Sequence, residues 1–303
     1  MNDFLIIGTF DGLHNGHREL IKYAKDKAEE HGMRSHILYF PYPPKFFFSS
    51  QKNNCMLTMP EEKEALLRSM NCDVTEALEF NAALASMPAL EFLTGELIKK
   101  RNAGGIACGS DFSFGRNREG NSVFLKAECL RRSLIYYQHD FLMHKGKKIS
   151  SSLIREMIAN GHIEEANTCL GRPYSVYGTV QHGMGIGRKI GFPTANIEPM
   201  PGKMLPEGIY AALTEIDGKD YPSAASYGRR PTLNTLGGKL ILETHILNFN
   251  GNLYGKRITV KFCHKLRNEM KFPSQDALIK SIETDKRNAE NFFSNTPLLF
   301  RSK

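Results

Sequence analysis

The sequence predicts two domains of different class: a doubly wound parallel α/β sheet first, then an antiparallel barrel or sandwich closed by one long helix. Three observations predict it. At 303 residues the chain exceeds what one core usually serves, although length alone also admits a single large barrel. Short apolar runs alternate with helical patterns in the first half, then give way to strand-like runs separated by glycine and proline. Finally, 41% hydrophobic and 24% charged residues make a globular composition, too apolar for a disordered chain.

The elements follow in order. Residues 4–7, 36–40, 74–80 and 106–109 are the apolar runs of the first half. Helical patterns run to about Glu30 and start again at Pro60 and Pro88, so the strands lie parallel. Residues 151–161 and 163–169 read as two short helices ending at Leu170-Gly171-Arg172-Pro173, where glycine stops a helix and proline prevents its resumption. The domain boundary is placed there, giving domains 1–169 and 170–303. Strand-like runs at 174–181, 209–216, 221–227, 240–247 and 257–262 build the second domain. The last helix starts at the cap Ser274 and carries Leu278, Ile282 and Ala289 on one face to about Phe293, a stripe suited to packing on the barrel.

The run at 4–7 is too short for a signal or a membrane span, and Gly8 ends it. Six scattered cysteines without a Cys-x-x-Cys pair read as free thiols in a reducing cytoplasm. The net charge of +8 is unevenly spread: residues 1–169 carry 21 basic and 21 acidic residues, and residues 170–303 carry 19 and 11. Such an excess serves nucleic acid, or a pocket for a triphosphate and a phosphorylated product.

After the first strand comes Gly8-Thr9-Phe10-Asp11-Gly12-Leu13-His14-Asn15-Gly16-His17. Gly8, Gly12 and Gly16 let backbone approach a ligand, and the following helix offers N-terminal amides to a phosphate. His14 and His17, three apart, can face one anion and donate to the charge that builds during phosphoryl or adenylyl transfer. A glycine turn with one histidine is commonly architectural; two histidines in this order are far more specific. Zinc ligation is the rival chemistry, but no third ligand stands nearby.

With these motifs the sequence resembles the His-x-Gly-His nucleotidylyltransferases and, among them, the bifunctional riboflavin kinase and FAD synthetase family. The resemblance implies a Rossmann-like nucleotidyltransferase domain followed by an antiparallel Greek-key β-barrel with a C-terminal helix. It implies nucleotide binding by Gly8, Phe10, Asp11, Gly12 and Gly16, with His14 and His17 catalytic. Gly109-Ser110-Asp111-Phe112-Ser113-Phe114-Gly115-Arg116 with Asn121 resembles the family's flavin segment, which assigns Asp111, Phe112, Arg116 and Asn121 to flavin. Ile149-Ser150-Ser151-Ser152 with Arg155 resembles its second nucleotide signature, in which serines cap a helix and an arginine reaches the triphosphate; the likeness assigns Ser151 and Ser152 to nucleotide and makes Arg155 catalytic.

In the second half, Gly183-Met184-Gly185-Ile186-Gly187-Arg188 leads into Gly191-Phe192-Pro193-Thr194-Ala195-Asn196. Glycine spacing alone also makes plain hairpins, but Thr194 and Asn196 alternate on an extended segment and can offer two hard oxygens to magnesium beside ATP phosphates. The whole stretch from Leu170 to Phe272 resembles the riboflavin kinase module. The likeness assigns Gly185, Gly187, Arg188 and Thr194 to nucleotide, Thr194 and Asn196 to Mg2+, Arg267 and Glu269 to flavin, and Glu243 as the base that takes the riboflavin hydroxyl proton. A solvated strand glutamate is the plain alternative for Glu243, and His245 on the same face reads as structural.

These assignments predict an ATP-dependent transferase of riboflavin and FMN, cytoplasmic, without membrane or nucleic-acid partner, and open to self-association. Asn248 and Asn252 stand where the family has aspartates, and Ser226-Tyr227 displaces an asparagine before Gly228-Arg229-Arg230-Pro231-Thr232. They motivate a second reading, an FAD synthetase whose barrel binds flavin without phosphorylating it. The basic second half motivates a third, a flavin-sensing or RNA-binding protein.

Overall fold

A computed structural model describes residues 1–48, 56–183, 185–229 and 240–296. These group into two compact units, residues 1–153 and 154–296.

In the first unit, β1 (Asp3–Gly8), β2 (Arg34–Tyr39), β3 (Val74–Ala77) and β4 (Ala103–Gly109) precede a hairpin of β5 (Ser113–Phe114) and β6 (Gly120–Asn121). β7 (Ile135–His139) and a second hairpin, β8 (Met143–His144) with β9 (Lys147–Lys148), follow. Five strands form a parallel sheet in the order β3-β2-β1-β4-β7. The period of two along β1 explains why the sheet is covered twice. Phe4 and Ile6 point into a core shared with helix Asn15–Glu30 through Leu20, Ile21 and Ala24, while Leu5 and Ile7 enter a second core with Leu93, Leu97 and Leu125. Full burial of each such side chain stabilises by roughly 1.5–3 kcal/mol.

Three elements depart from the sequence reading. β4 starts at Ala103 because Gly105 leaves the space taken by Phe4: a Cβ there would meet the Phe4 ring at 2.5 Å. Helix Ser122–Arg131 was hidden because Val123 and Leu130 are exposed, which blurs its apolar stripe. β7, Ile-Tyr-Tyr-Gln-His, is an edge strand with every residue half-buried, so it lacks the apolar run that betrays an inner strand. The helix expected from Pro88 is present and widens into π turns at Phe92–Lys99.

The second unit carries helix Ile163–Leu170, ended by Gly171 at φ 69°, and six antiparallel strands. These are β10 (Tyr174–Gln181), β11 (Ala195–Pro199), β12 (Gly208–Ile216), β13 (Lys219–Arg229), β14 (Leu240–Ile246) and β15 (Arg257–Arg267), closed in the order β10-β11-β14-β13-β12-β15. β12, β13 and β14 pair consecutively and β15 returns beside β12, a Greek key. Interior positions of β14 are Leu242, Thr244 and Ile246. The Thr244 hydroxyl meets Thr214 at 3.0 Å, and Thr214 meets Ser223 at 2.8 Å, so the buried hydroxyls satisfy one another. Helix Gln275–Asn295, capped by Ser274, packs Ala289, Phe292 and Phe293 against Ala211 and Leu247. Helix Ile163–Leu170 docks on the barrel: Asn167 donates to the Phe262 carbonyl at 2.8 Å and accepts from the Tyr174 amide at 2.7 Å. Packing thus divides the chain inside helix Ser151–Ala159, ahead of the Cys169/Leu170 junction.

Candidate functional site

In the first unit, β1 has β2 on one side and β4 on the other, so connections leave the centre of the sheet in opposite directions at the carboxyl ends of β1 and β4. Open parallel sheets bind ligands at such a switch point. Both predicted motifs lie there: Gly8 to His17 follows β1, and Gly109 to Arg116 follows β4.

The turn after β1 is held in an unusual backbone. Gly12 has φ 85°, and two non-glycine residues, Phe10 and Leu13, also lie at positive φ, 47° and 38°. Such geometry persists only where packing over-determines it, and here both side chains are fully buried in the core. The buried Asp11 carboxylate accepts from the amides of Leu57 and Thr58 and from the Thr58 hydroxyl, each at 3.0–3.3 Å, and the Gly12 amide donates to Thr58 Oγ1 at 3.0 Å. Asp11 is therefore a clasp fixing the turn. Gly8 leaves room for Phe10, whose ring a Cβ would meet at 2.8 Å, and Gly16 lies against the His14 ring.

His14 caps helix Asn15–Glu30, its Nδ1 accepting from the His17 amide at 3.3 Å. The two imidazoles stack with centroids 3.6 Å apart, and Phe10 meets His17 edge-on at 5.2 Å. His17 Nδ1 is shut off from solvent without a hydrogen-bond partner, a buried polar atom left unsatisfied by the protein. Burial, and then His14, Lys63, His139 and Lys148, hold the His17 imidazole well below its ordinary value. The ring is thus neutral in the folded chain, whereas an unfolded one takes up a proton below its usual value of 6.5. That contribution to stability is full above about pH 6.5 and is lost as pH falls further. Melting curves from pH 7.5 to 5.5 should show a falling midpoint, with a shallower fall in His17→Gln; equal slopes would contradict this origin.

The second nucleotide signature joins the first: Ser151 Oγ donates to the Asp11 carbonyl at 2.8 Å, across 140 residues of chain. The cap of helix Ser151–Ala159 is Ser150, which accepts from the Leu153 amide at 3.2 Å. Ser152 is exposed, and Arg155 is half-buried on the same helix. Lys63, which sequence reasoning passed over as one charge in a charged helix, is fully buried and donates to the carbonyls of Phe40 and Pro41, both at 2.9 Å.

In the flavin segment, the exposed Asp111 pairs with Lys148 at 2.8 Å, and Lys148 lies 3.2 Å from the Phe141 ring centroid. Phe112 stacks on the core residue Phe114 at 5.3 Å. Arg116 is exposed, while Asn121 caps helix Ser122–Arg131 through the Phe124 amide at 2.9 Å. Asn121 therefore has a structural task that its side-chain chemistry explains without a ligand.

In the second unit, Glu243 on the outer face of β14 lies directly between Asn196 of β11 and Ser226 of β13 in the sheet register. All three are half-buried. Gly187, in the short helix Ile186–Lys189 after β10, accepts from the Phe192 amide at 2.7 Å, and a Cβ on it would meet the Phe192 carbonyl at 2.3 Å and Thr194 Oγ1 at 3.3 Å. Gly187→Ala should therefore displace the Phe192–Thr194 turn and lower kinase-type turnover about tenfold or more while leaving first-unit chemistry unchanged; unchanged turnover would contradict the close approach. Gly185 has φ 68° and Arg188 is exposed. Asn196 lies against Gly183, where a Cβ would meet its amide at 2.3 Å. Met184 and Arg230-Pro231-Thr232 lie outside the described residues.

Arg267 forms a bidentate pair with the buried Asp285, Nε to Oδ1 2.9 Å and Nη2 to Oδ2 2.6 Å. This pins β15 to the closing helix. Glu269 covers Gly228, where a Cβ would come within 2.4 Å of its carboxylate, and burial raises its pKa. No group of three or more His, Cys, Asp or Glu among the described residues could hold a metal. The five described cysteines are free. No helix among the described residues is long and apolar enough to cross a membrane.

Residues 2–153 match the family described as FAD synthetase and residues 170–293 match the family described as riboflavin kinase. A Haemophilus influenzae bifunctional riboflavin kinase/FMN adenylyltransferase is 35% identical, with 96% of this chain aligned to 94% of that protein. The Escherichia coli K12 protein of the same name is 33% identical, covering 96% and 93%. A Streptococcus pneumoniae crystal structure titled macrolide-efflux protein superposes with a TM-score of 0.86 at 30% identity, covering 96% of this chain and 94% of that one.

Proposed function

Since this chain belongs to the bifunctional riboflavin kinase/FMN adenylyltransferase family, we propose that two domains, residues 1–169 and 170–303, divide FAD biosynthesis between them. It is a transferase that phosphorylates riboflavin to FMN with ATP and adenylylates FMN to FAD with release of pyrophosphate. We assign the second reaction to residues 1–169 and the first to residues 170–303. The single observation that carries the first assignment is the stacked His14–His17 pair at the sheet's switch point, with a buried Nδ1 lacking a partner.

In the adenylyl transfer, the FMN phosphate is itself the nucleophile, so the chain supplies position and charge stabilisation. His17 and His14 donate to the phosphate oxygens, the latter from the nitrogen opposite its cap bond. Helix Asn15–Glu30 adds its N-terminal amides. Asp11 and Ser151 hold this assembly and do not touch the reacting atoms. Asp111, Phe112 and Arg116 present one charged and one aromatic surface suited to the flavin.

In the barrel, Glu243 takes the proton of the riboflavin 5'-hydroxyl, which attacks the terminal phosphate of ATP. The loop through Gly185, Gly187 and Arg188 holds the nucleotide, and Arg267 with Glu269 lines the flavin side. Thr194 and Asn196 offer neutral oxygens next to Glu243, the sparse protein contribution that suits Mg2+ already bound to phosphates. Magnesium bound there would neutralise phosphate charge. ATP binding should also reverse the downward shift of His17: calorimetry near pH 6.5 in buffers of different ionisation heat should reveal proton uptake, absent in His17→Ala. Purified chain given riboflavin, ATP and magnesium should yield FAD; FMN as the end product would remove the first-unit assignment. The localisation that suits these substrates is the cytoplasm.

A further inference from the structure

The ladder between β11 and β14 ends at Ala195↔Thr244, next to Asn196↔Glu243. Prolonged by one residue it would set Thr194 opposite His245, but Pro193 has no N–H to donate and the pairing stops. A side chain takes over at that point. His245 Nδ1 donates to the Pro193 carbonyl at 2.8 Å, linking residues 52 apart, and Phe192 meets the imidazole edge-on at 5.9 Å. His245 therefore grips the peptide immediately before Thr194, while the Phe192 carbonyl and the Thr194 hydroxyl both lie against Gly187 of the glycine loop. One imidazole on the barrel wall secures the turn through which the loop and the oxygens of Thr194 and Asn196 are set.

We infer that His245 is a positioning residue for the kinase reaction, seating the Pro193–Thr194 peptide so that Thr194 and Asn196 present their oxygens together to the phosphates and their magnesium. The inference rests on the reading of Thr194 and Asn196 given above. It explains why a histidine sits on an outward strand position two residues from Glu243 without any part in proton chemistry. Only the nitrogen nearer the backbone is used, which makes the role separable by substitution: an asparagine amide can occupy the place of Nδ1, whereas a glutamine amide falls near the place of Nε2.

The test uses the full chain carrying His245→Ala, His245→Asn or His245→Gln, with FMN formation followed as a function of MgATP and amide exchange measured over residues 190–196. In the alanine and glutamine variants the KM for MgATP should rise about fivefold, the scale of one net hydrogen bond. Exchange should quicken, with kcat and the conversion of supplied FMN to FAD little changed. The asparagine variant should restore both KM and protection. Wild-type MgATP dependence and exchange in His245→Ala would overturn the inference, as would glutamine restoring function as well as asparagine. Thr194→Val with unaltered MgATP dependence would strike the underlying reading, and a wild-type chain that makes no FMN would strike the kinase assignment itself.

Discussion

His17→Ala should turn the chain into a maker of FMN: given riboflavin and ATP, it is expected to accumulate FMN while FAD formation slows about 10²–10³-fold, the usual loss for one preorganised donor to developing charge. The size follows from the surroundings. The imidazole is shielded from solvent at Nδ1 and stacks on His14 within a turn that packing holds rigid. A donor in such a place meets no competing water, and alanine leaves a gap that water fills without the same alignment. His17 lies in the first unit, so riboflavin phosphorylation by the barrel serves as the internal control for folding. A chromatographic time course decides it: if FAD appears at the wild-type rate, the histidine pair is architectural.

Glu243→Gln reverses the pattern. FMN formation from riboflavin should fall by about 10²–10⁴-fold, the range for a general base, while FMN supplied directly is still converted to FAD. Glutamine keeps the volume and the hydrogen-bonding reach of glutamate between Asn196 and Ser226, so the barrel register should survive and only basicity is lost. FMN made at the wild-type rate by this variant would remove Glu243 from the chemistry. The same assay bears on Asn248, Asn252 and Ser226. Membership of the family supports kinase activity despite them, and Ser226 stands as a direct neighbour of Glu243.

Much of this was legible because period and punctuation survive in the sequence. The alternating apolar runs marked the inner strands of the parallel sheet, Gly171-Arg172-Pro173 marked the stop before the barrel, and Ser274 marked the last helix. The histidine pair was legible since both residues serve one turn. What escaped depends on partners far apart in the chain. The clasp of Asp11 on the amides of Leu57 and Thr58 joins residues some 46 apart and leaves no local mark. Lys63 carries no local mark of its burial, since the carbonyls it meets belong to Phe40 and Pro41, more than twenty residues before it. Asp285 gave no local sign of its pairing with Arg267, 18 residues before it on another element. β7 and helix Ser122–Arg131 were obscured by half-burial and exposed apolar residues, which weaken any periodic signal.

Phe10 and Leu13 hold left-handed backbone with fully buried side chains, so packing locks the first turn in one shape. The consequence is kinetic. A loop that must fold around its ligand shows a slow, concentration-independent phase after encounter, whereas a turn locked by the core offers no such gate. Nucleotide capture by the first unit should then proceed in one exponential step whose rate rises linearly with concentration, limited by collision and charge steering. Phe10→Gly, which removes both the strain and its anchor, should introduce the missing second phase.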